Sequence, residues 1–224
     1  KLGRKMVKKI INSVFKKRKF SMLLLLLLMT TFISTSVNAA LIENVDLDGI
    51  TVGTQVAQEK TTNFIGGAGT VLTSSVFAND DIFTYILTLA PGTTSIPAEF
   101  NTGFDVAGFN GIAGYSFQDA LNAFPGATGD VTTAFTINYE YDGVISTLDW
   151  NANYRRQGFW NGNQTITFFF QSSQAPGADG NYNFISPAST TTSYSPAPVP
   201  VPSAIYFLGT GLLGLCAFSR KKSE

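Results

Sequence analysis

The chain has 224 residues, long enough for one sizeable core, and its 15 Lys and Arg balance its 15 Asp and Glu. That balance is segregated: from Ala40 to Ser203 three basic residues (Lys60, Arg155, Arg156) stand against fourteen acidic ones, a net −11, which argues against nucleic acid as a partner. The absence of His and the single Cys, Cys216, exclude His-based nucleophile pairs, His-ligated zinc and any disulfide in the middle of the chain.

The N-terminal stretch combines a basic run up to Phe20, the apolar "MLLLLLLMTTFI" and then "STSVNAAL". A cationic region, a compact Leu-rich segment and small residues at the −3 and −1 places describe a secretory signal peptide over residues 1–39. Cleavage is expected between Ala39 and Ala40, and Met6 is expected to be the start, since Lys1 is no initiator. The implied partners are an export translocon and a signal peptidase. An uncleaved anchor is the alternative, disfavoured because Leu23–Ile33 is shorter than the ~20 residues of a spanning helix.

Residues 40–194 read as a β-rich extracytoplasmic domain. The calcium-loop fragment "DLDG" at Asp46–Gly49 lacks the further ligands of an EF-hand, and Asn79-Asp80-Asp81 reads as a turn. Period-two alternation places Phe83, Tyr85, Leu87 and Leu89 on one face of "IFTYILTL", and Phe135, Ile137, Tyr139 and Tyr141 on one face of "FTINYEY". Between these strands, "SFQDALNAFPG" repeats Phe117, Ala120, Leu121 and Phe124 at helical spacing, with Ser116 and Asp119 suited to a capping box and Pro125-Gly126 as the stop. Asp142-Gly143 and Asn161-Gly162 are two-residue hairpin signals. They predict consecutive hairpins over Phe135–Trp150 and Tyr154–Gln171, an antiparallel meander. The expected fold is mainly β, an antiparallel sandwich with one short helix.

Candidate sites in this body are few. Trp150, Tyr154, Phe159 and Trp160 cluster around the predicted hairpins, and flat rings stack on sugar faces; Trp150, Tyr154 and Trp160 are therefore the candidate glycan-binding residues, with burial in the core as the competing reading. Glycoside hydrolysis needs only two carboxylates, and Glu99, Glu140, Asp142 and Asp149 are the available ones. "ITFFFQ" reads as a strand buried on both faces or as a self-assembly segment, with Arg155 and Arg156 as nearby gatekeepers. No resident cofactor or metal site is expected, only diffuse association of divalent cations with the acidic body.

Residues 195–203 read as a Pro-rich linker in an extended, polyproline-like form. The apolar residues 204–219 form a single transmembrane helix, and 220–224 a basic cytoplasmic stub with Arg220, Lys221 and Lys222 as the topology stop. Ala204–Phe218 would be roughly 22 Å long as a helix against a hydrocarbon core of ~30 Å, so the span is marginal. Val199, Pro200, Val201, Pro202 and Ser203, then "AIYFLGTGLLGLCAF", then "RKK", together resemble the PEP-CTERM sorting signal of Gram-negative bacteria that make extracellular polysaccharide. Val201 stands where the family has Glu. The resemblance covers about twenty-five residues and implies an exosortase-like membrane transpeptidase as partner, with Val199–Ser203 as its processing motif. It also implies transient residence in the inner membrane, then the cell surface or extracellular space. The resulting expectation is a non-enzymatic surface or matrix protein associated with biofilm or exopolysaccharide; the alternatives are a secreted carbohydrate-binding module and, behind it, a glycoside hydrolase.

Overall fold

Tyr85, Leu87 and Leu89 alternate with less buried neighbours along "IFTYILTL", and in the computed structural model they form the inward face of a strand. The structure describes residues 40–66, 69–92, 98–124, 130–141, 145–153, 160, 164–187 and 189–198. Twelve strands are found among them: β1 (Ala40–Ile42), β2 (Val45–Asp46), β3 (Thr54–Asn63), β4 (Val71–Asn79), β5 (Ile82–Ala90), β6 (Glu99–Thr102), β7 (Phe109–Tyr115), β8 (Phe135–Tyr141), β9 (Ser146–Ala152), β10 (Ile166–Ser172), β11 (Pro176–Ser186) and β12 (Ser189–Pro198). They form two six-stranded sheets, ordered β1-β8-β9-β6-β11-β12 (sheet A) and β2-β7-β10-β5-β4-β3 (sheet B). Every pair is antiparallel except β2 with β7. The protein is therefore mainly β, consistent with a sandwich.

Both sheets supply aromatic side chains to one core. Phe100 of sheet A stacks on Phe168 of sheet B with ring centroids 5.1 Å apart and lies against Trp150 and Tyr182. Trp150 binds the sheets together, because its indole Nε1 donates across the core to the Gly114 carbonyl of β7 at 3.1 Å. Phe135 meets Tyr115, Phe168 and Trp160 in edge-to-face contacts. With no disulfide available, this ring network carries the cohesion, each ring burying about 150–250 Å².

The sheet margins are closed by different means. At one side the chain itself crosses, contributing β1 to sheet A and β2 to sheet B. At the other, the segment just after β3 meets β12, with Ile65 N donating to the Thr192 carbonyl at 2.9 Å. The Thr62–Ser193 hydroxyl pair at 2.6 Å links β3 to β12, and the Lys60–Asp179 ion pair links β3 to β11. Open edges invite pairing with other chains, and these contacts occupy them.

Some expectations hold and others are corrected. The hairpin β8–β9 pairs as predicted, Tyr141 opposite Ser146, although its Asp142-Gly143 turn lies outside the described residues. The second hairpin is corrected: both edges of β10 are taken, by β7 and β5, and β9 and β10 belong to opposite sheets, while residues 154–159 and the Asn161-Gly162 turn lie outside the described residues. The turn expected at Asn79-Asp80-Asp81 does form, as the two residues between Asn79 and Ile82, with Asp80 at φ 53°. "ITFFFQ" is a central strand buried on both faces: Phe168 and Phe170 enter the core and Phe169 is equally buried on the opposite side.

Helix α1 (Phe117–Ala123) starts where expected, with Ser116 Oγ accepting from Asp119 N at 3.1 Å. The reciprocal half of the capping box is absent. Asp119 instead accepts from Thr167 N of β10, and Ser116 N donates to the Thr167 carbonyl, so the helix start replaces β7 as the partner of that strand. Its buried face runs through Ala120, Ala123 and Phe124, leaving Leu121 exposed.

Ser195–Pro198 is not a free strut. These residues complete β12, Ser195 opposite Gly180 and Pro198 opposite Pro176, with Ser195 and Ala197 buried. Pro196 and Pro198 are tolerated because β12 is an edge strand and they occupy alternate positions, whose missing N–H groups lie on one side. The folded body thus extends to residue 198. The signal peptide 1–39, the motif Val199–Ser203, the apolar helix 204–219 and the stub 220–224 lie outside the described residues.

Candidate functional site

The two described aromatic candidates are not on the surface. Trp150 and Trp160 are buried, 0% and 1% exposed, and both indole N–H groups are used internally, Trp160 Nε1 donating to the Gln164 carbonyl at 2.9 Å. Neither presents a face to a sugar. Alternation explains it: Trp150 follows Leu148 on the inward face of β9, so its ring meets Phe100 and Phe168. Tyr154 lies outside the described residues.

The carboxylates fare differently, because the same alternation that buries Leu148 and Trp150 turns Asp149 outward. Register places Asn138, Asp149, Asn101, Asn183 and Thr192 side by side in one row across five strands of sheet A. A second row holds Thr136, Asn151, Glu99, Ile185 and Thr190. Glu140 and Thr147 continue the face beyond Asn138 and Asp149. Adjacent strands lie ~4.8 Å apart, so neighbouring side chains are within hydrogen-bonding reach.

They use that reach in one direction. Thr192 Oγ1 donates to Asn183 Oδ1 at 2.8 Å, Asn183 Nδ2 to Asn101 Oδ1 at 3.0 Å, and Asn101 Nδ2 to Glu99 Oε1 at 2.6 Å. A relay of hydroxyl and amides therefore ends on a carboxylate. Asp149 sits beside Asn101 in this row, and none of the described residues donates a hydrogen bond to it. Burial raises its pKa from 3.8 to about 7, with the negative charges of Glu99 and Glu140 adding to the effect. Near neutrality it can accept or release a proton, and when protonated it adds a donor to a face otherwise rich in acceptors.

Three of the four carboxylates considered for glycoside chemistry thus share one face, Glu99, Glu140 and Asp149; Asp142 lies outside the described residues. The calcium-loop fragment is used otherwise, since Asp46 Oδ1 accepts from Phe117 N at 3.1 Å and caps α1. Among the described residues no group of three His, Cys, Asp or Glu side chains is arranged to hold a metal ion. The amides of this face were missed in the sequence, though a signal was present: "EFNT", "FTINYEY", "TLDWNA" and "GNYNFI" each alternate aromatic or aliphatic residues with Asn, Asp or Glu. Four such segments on neighbouring strands necessarily make a polar sheet face.

No protein-family model matches the chain, and neither the curated proteins nor the solved structures compared with it include a match.

Proposed function

We propose that the chain is an exported, non-enzymatic protein of the cell surface or extracellular matrix, trimmed by an exosortase-like membrane transpeptidase within its C-terminal signal. The observation that carries this reading is the order of proline motif, short apolar run and basic stub at Val199–Lys222, behind a body preceded by an export signal. The position of β12 supports it: the strand ends at Pro198, so a cut inside Val199–Ser203 leaves both sheets complete. The intact mass of the extracellular protein tests it. The expected species begins at Ala40 and lacks the apolar tail, and a tail retained on extracellular material overturns the proposal.

A second reading, binding or hydrolysis of a glycan, is favoured by one observation, the open row of amides and carboxyls around Asp149. It does not depend on Trp150 or Trp160. Its test is saturable binding or turnover of extracellular polysaccharide by the purified body, lost in Asp149→Asn or Glu99→Gln; absence of both with the unaltered protein sinks it.

A further inference from the structure

Strand β7 contains an irregularity outside the face described above. Phe170 of β10 pairs with Ala113 and Ser172 with Phe109, so a single residue, Gln171, stands opposite three, Asn110, Gly111 and Ile112. The surplus residues bulge out of the ladder. Asn110 and Gly111 are exposed, Gly111 has φ 90°, and no atom lies within 4 Å of where a β-carbon would be. The side chain of Asn110 is nonetheless held at both ends. Its Oδ1 accepts from Ile112 N at 3.1 Å, and its Nδ2 donates to Gln171 Oε1 at 3.3 Å.

We infer that this bulge makes Asn110 a self-modifying site, converted to aspartate and isoaspartate through a succinimide closed by the backbone nitrogen of Gly111. Asn followed by Gly is the least hindered sequence for this closure, because no side chain shields the attacking nitrogen. In the step, the Gly111 nitrogen loses its proton and forms a bond to Cγ of Asn110. The Cγ–Nδ2 bond then breaks, and the amide group leaves as ammonia with that proton. Water opens either carbonyl of the ring, giving an aspartate or an isoaspartate with no oxidant or cofactor. The fold assists at one point: negative charge develops on Oδ1 during attack, and Ile112 N–H already donates to that atom, as an oxyanion donor does. The hydrogen bond also keeps Cγ folded over the following peptide, limiting the search for the attacking geometry. The Gln171 contact is the longer of the two and leaves the departing nitrogen only loosely held.

The product carries a new carboxylate on sheet B and removes the donor from Gln171 Oε1, while Gln171 Nε2 remains on Thr84 Oγ1 at 3.1 Å. An exported protein that is not resynthesised in place would accumulate this change with age.

The test is peptide mapping of the purified protein after incubation at mildly alkaline pH, folded and in urea, with isoaspartate read by enzymatic methylation. Asn161-Gly162, the same dipeptide elsewhere in the chain, is the internal reference. The expected result is faster conversion at Asn110 in the folded protein than in urea, and suppression of that signal in Gly111→Ala. Equal or slower conversion in the folded protein, or conversion confined to other asparagines, overturns the inference. Should Gly111→Ala fail to fold at its positive φ, the comparison between folded and unfolded wild-type chain still decides.

Discussion

The outward faces of the two sheets are built on the same pleated geometry and filled with opposite chemistry. Sheet A exposes amides and carboxyls. Sheet B carries a row of hydroxyls, Thr61, Thr73, Thr88 and Thr167, beside an apolar row of Ile86 and Phe169 that runs up to Gly114. In sheet B each hydroxyl pair is self-contained, Thr61 with Thr73 at 3.1 Å and Thr88 with Thr167 at 3.2 Å, and Phe169 is as buried as the core. In sheet A the bonds form a directed relay that stops at Glu99, beside an Asp149 that resists ionisation. One face is finished by its own packing; the other retains unspent polar capacity, which is the difference between a structural surface and a candidate binding surface.

If that contrast is correct, sheet B tolerates change least. Phe169→Ala empties a fully buried site and is expected to cost about 3–5 kcal/mol, measured by urea unfolding of the described body. The two outward glycines sharpen the point. A β-carbon at Gly114 would fall 2.0 Å from the Val45 carbonyl oxygen, which is backbone and cannot step aside, with the Phe169 ring at 2.7 Å. At Gly103, which extends β6 by donating to the Asn181 carbonyl at 2.7 Å, the obstacle is the Asn181 amide nitrogen at 2.1 Å, the end of a flexible side chain. Gly114→Ala is thus expected to destabilise by more than about 3 kcal/mol and Gly103→Ala by about 1–2 kcal/mol. Equal costs would remove the distinction between a jammed face and an adjustable one.

Asp149 provides the next test, and its sign follows from proton counting. Folded, it keeps its proton up to about 7; unfolded, it loses it near 3.8. Between those values the native state binds more protons, so its contribution to stability is present at low pH and falls as pH rises through the window, levelling off above it. The full displacement corresponds to roughly 4 kcal/mol, which solvent screening of a partly exposed group reduces to about 1–2 kcal/mol. Asp149→Asn is therefore expected to stabilise the protein by that amount at pH 8 and to change little at pH 4, in paired denaturation curves. A mutant effect independent of pH would show that neither burial nor the charges of Glu99 and Glu140 holds the proton on this carboxyl.

The sequence disclosed the strands with clean alternation and short turns, and little else. β5 and β8 announced themselves through Tyr85-Leu87-Leu89 and Phe135-Ile137, and α1 through Ser116. Turn chemistry taken alone was an uneven guide: Asn161-Gly162 suggested a hairpin that sheet order forbids, whereas the turn read at Asn79-Asp80-Asp81 forms, Asp80 adopting a positive φ despite its β-carbon. Trp150 and Trp160 were ambiguous for a different reason, since the same alternation serves an inward ring or an outward one until the partner strands are known. β12 was concealed by its prolines, which read as an unpaired strut because the sequence does not say which strand lies at an edge. The polar face was hidden because its residues come from "EFNT", "TINYEY", "TLDWNA" and "GNYNFI", segments separated by up to eighty residues that only the strand order β8-β9-β6-β11 brings together.

The smallest expected effect separates the two hydrogen-bond patterns most directly. Thr88 and Thr167 pair only with each other and are both half-buried, so Thr88→Val leaves Thr167 able to turn its hydroxyl to water, and the valine keeps the branched shape that suits a strand. Its cost should stay within about 0.5 kcal/mol. Thr192→Val removes the head of the relay on sheet A, and the Asn183 oxygen it served sits among side chains already committed to Asn101 and Glu99. That loss is expected to reach about 1 kcal/mol and, because the bonds polarise one another in sequence, to depend on Asn101. A double-mutant cycle of Thr192→Val with Asn101→Ala should show a coupling energy, although Thr192 and Asn101 are not adjacent, whereas Thr88→Val with Thr61→Val should be additive. Additivity in both pairs would mean that the row of amides is a set of separate contacts, and that the outward face of sheet A differs from that of sheet B in composition only.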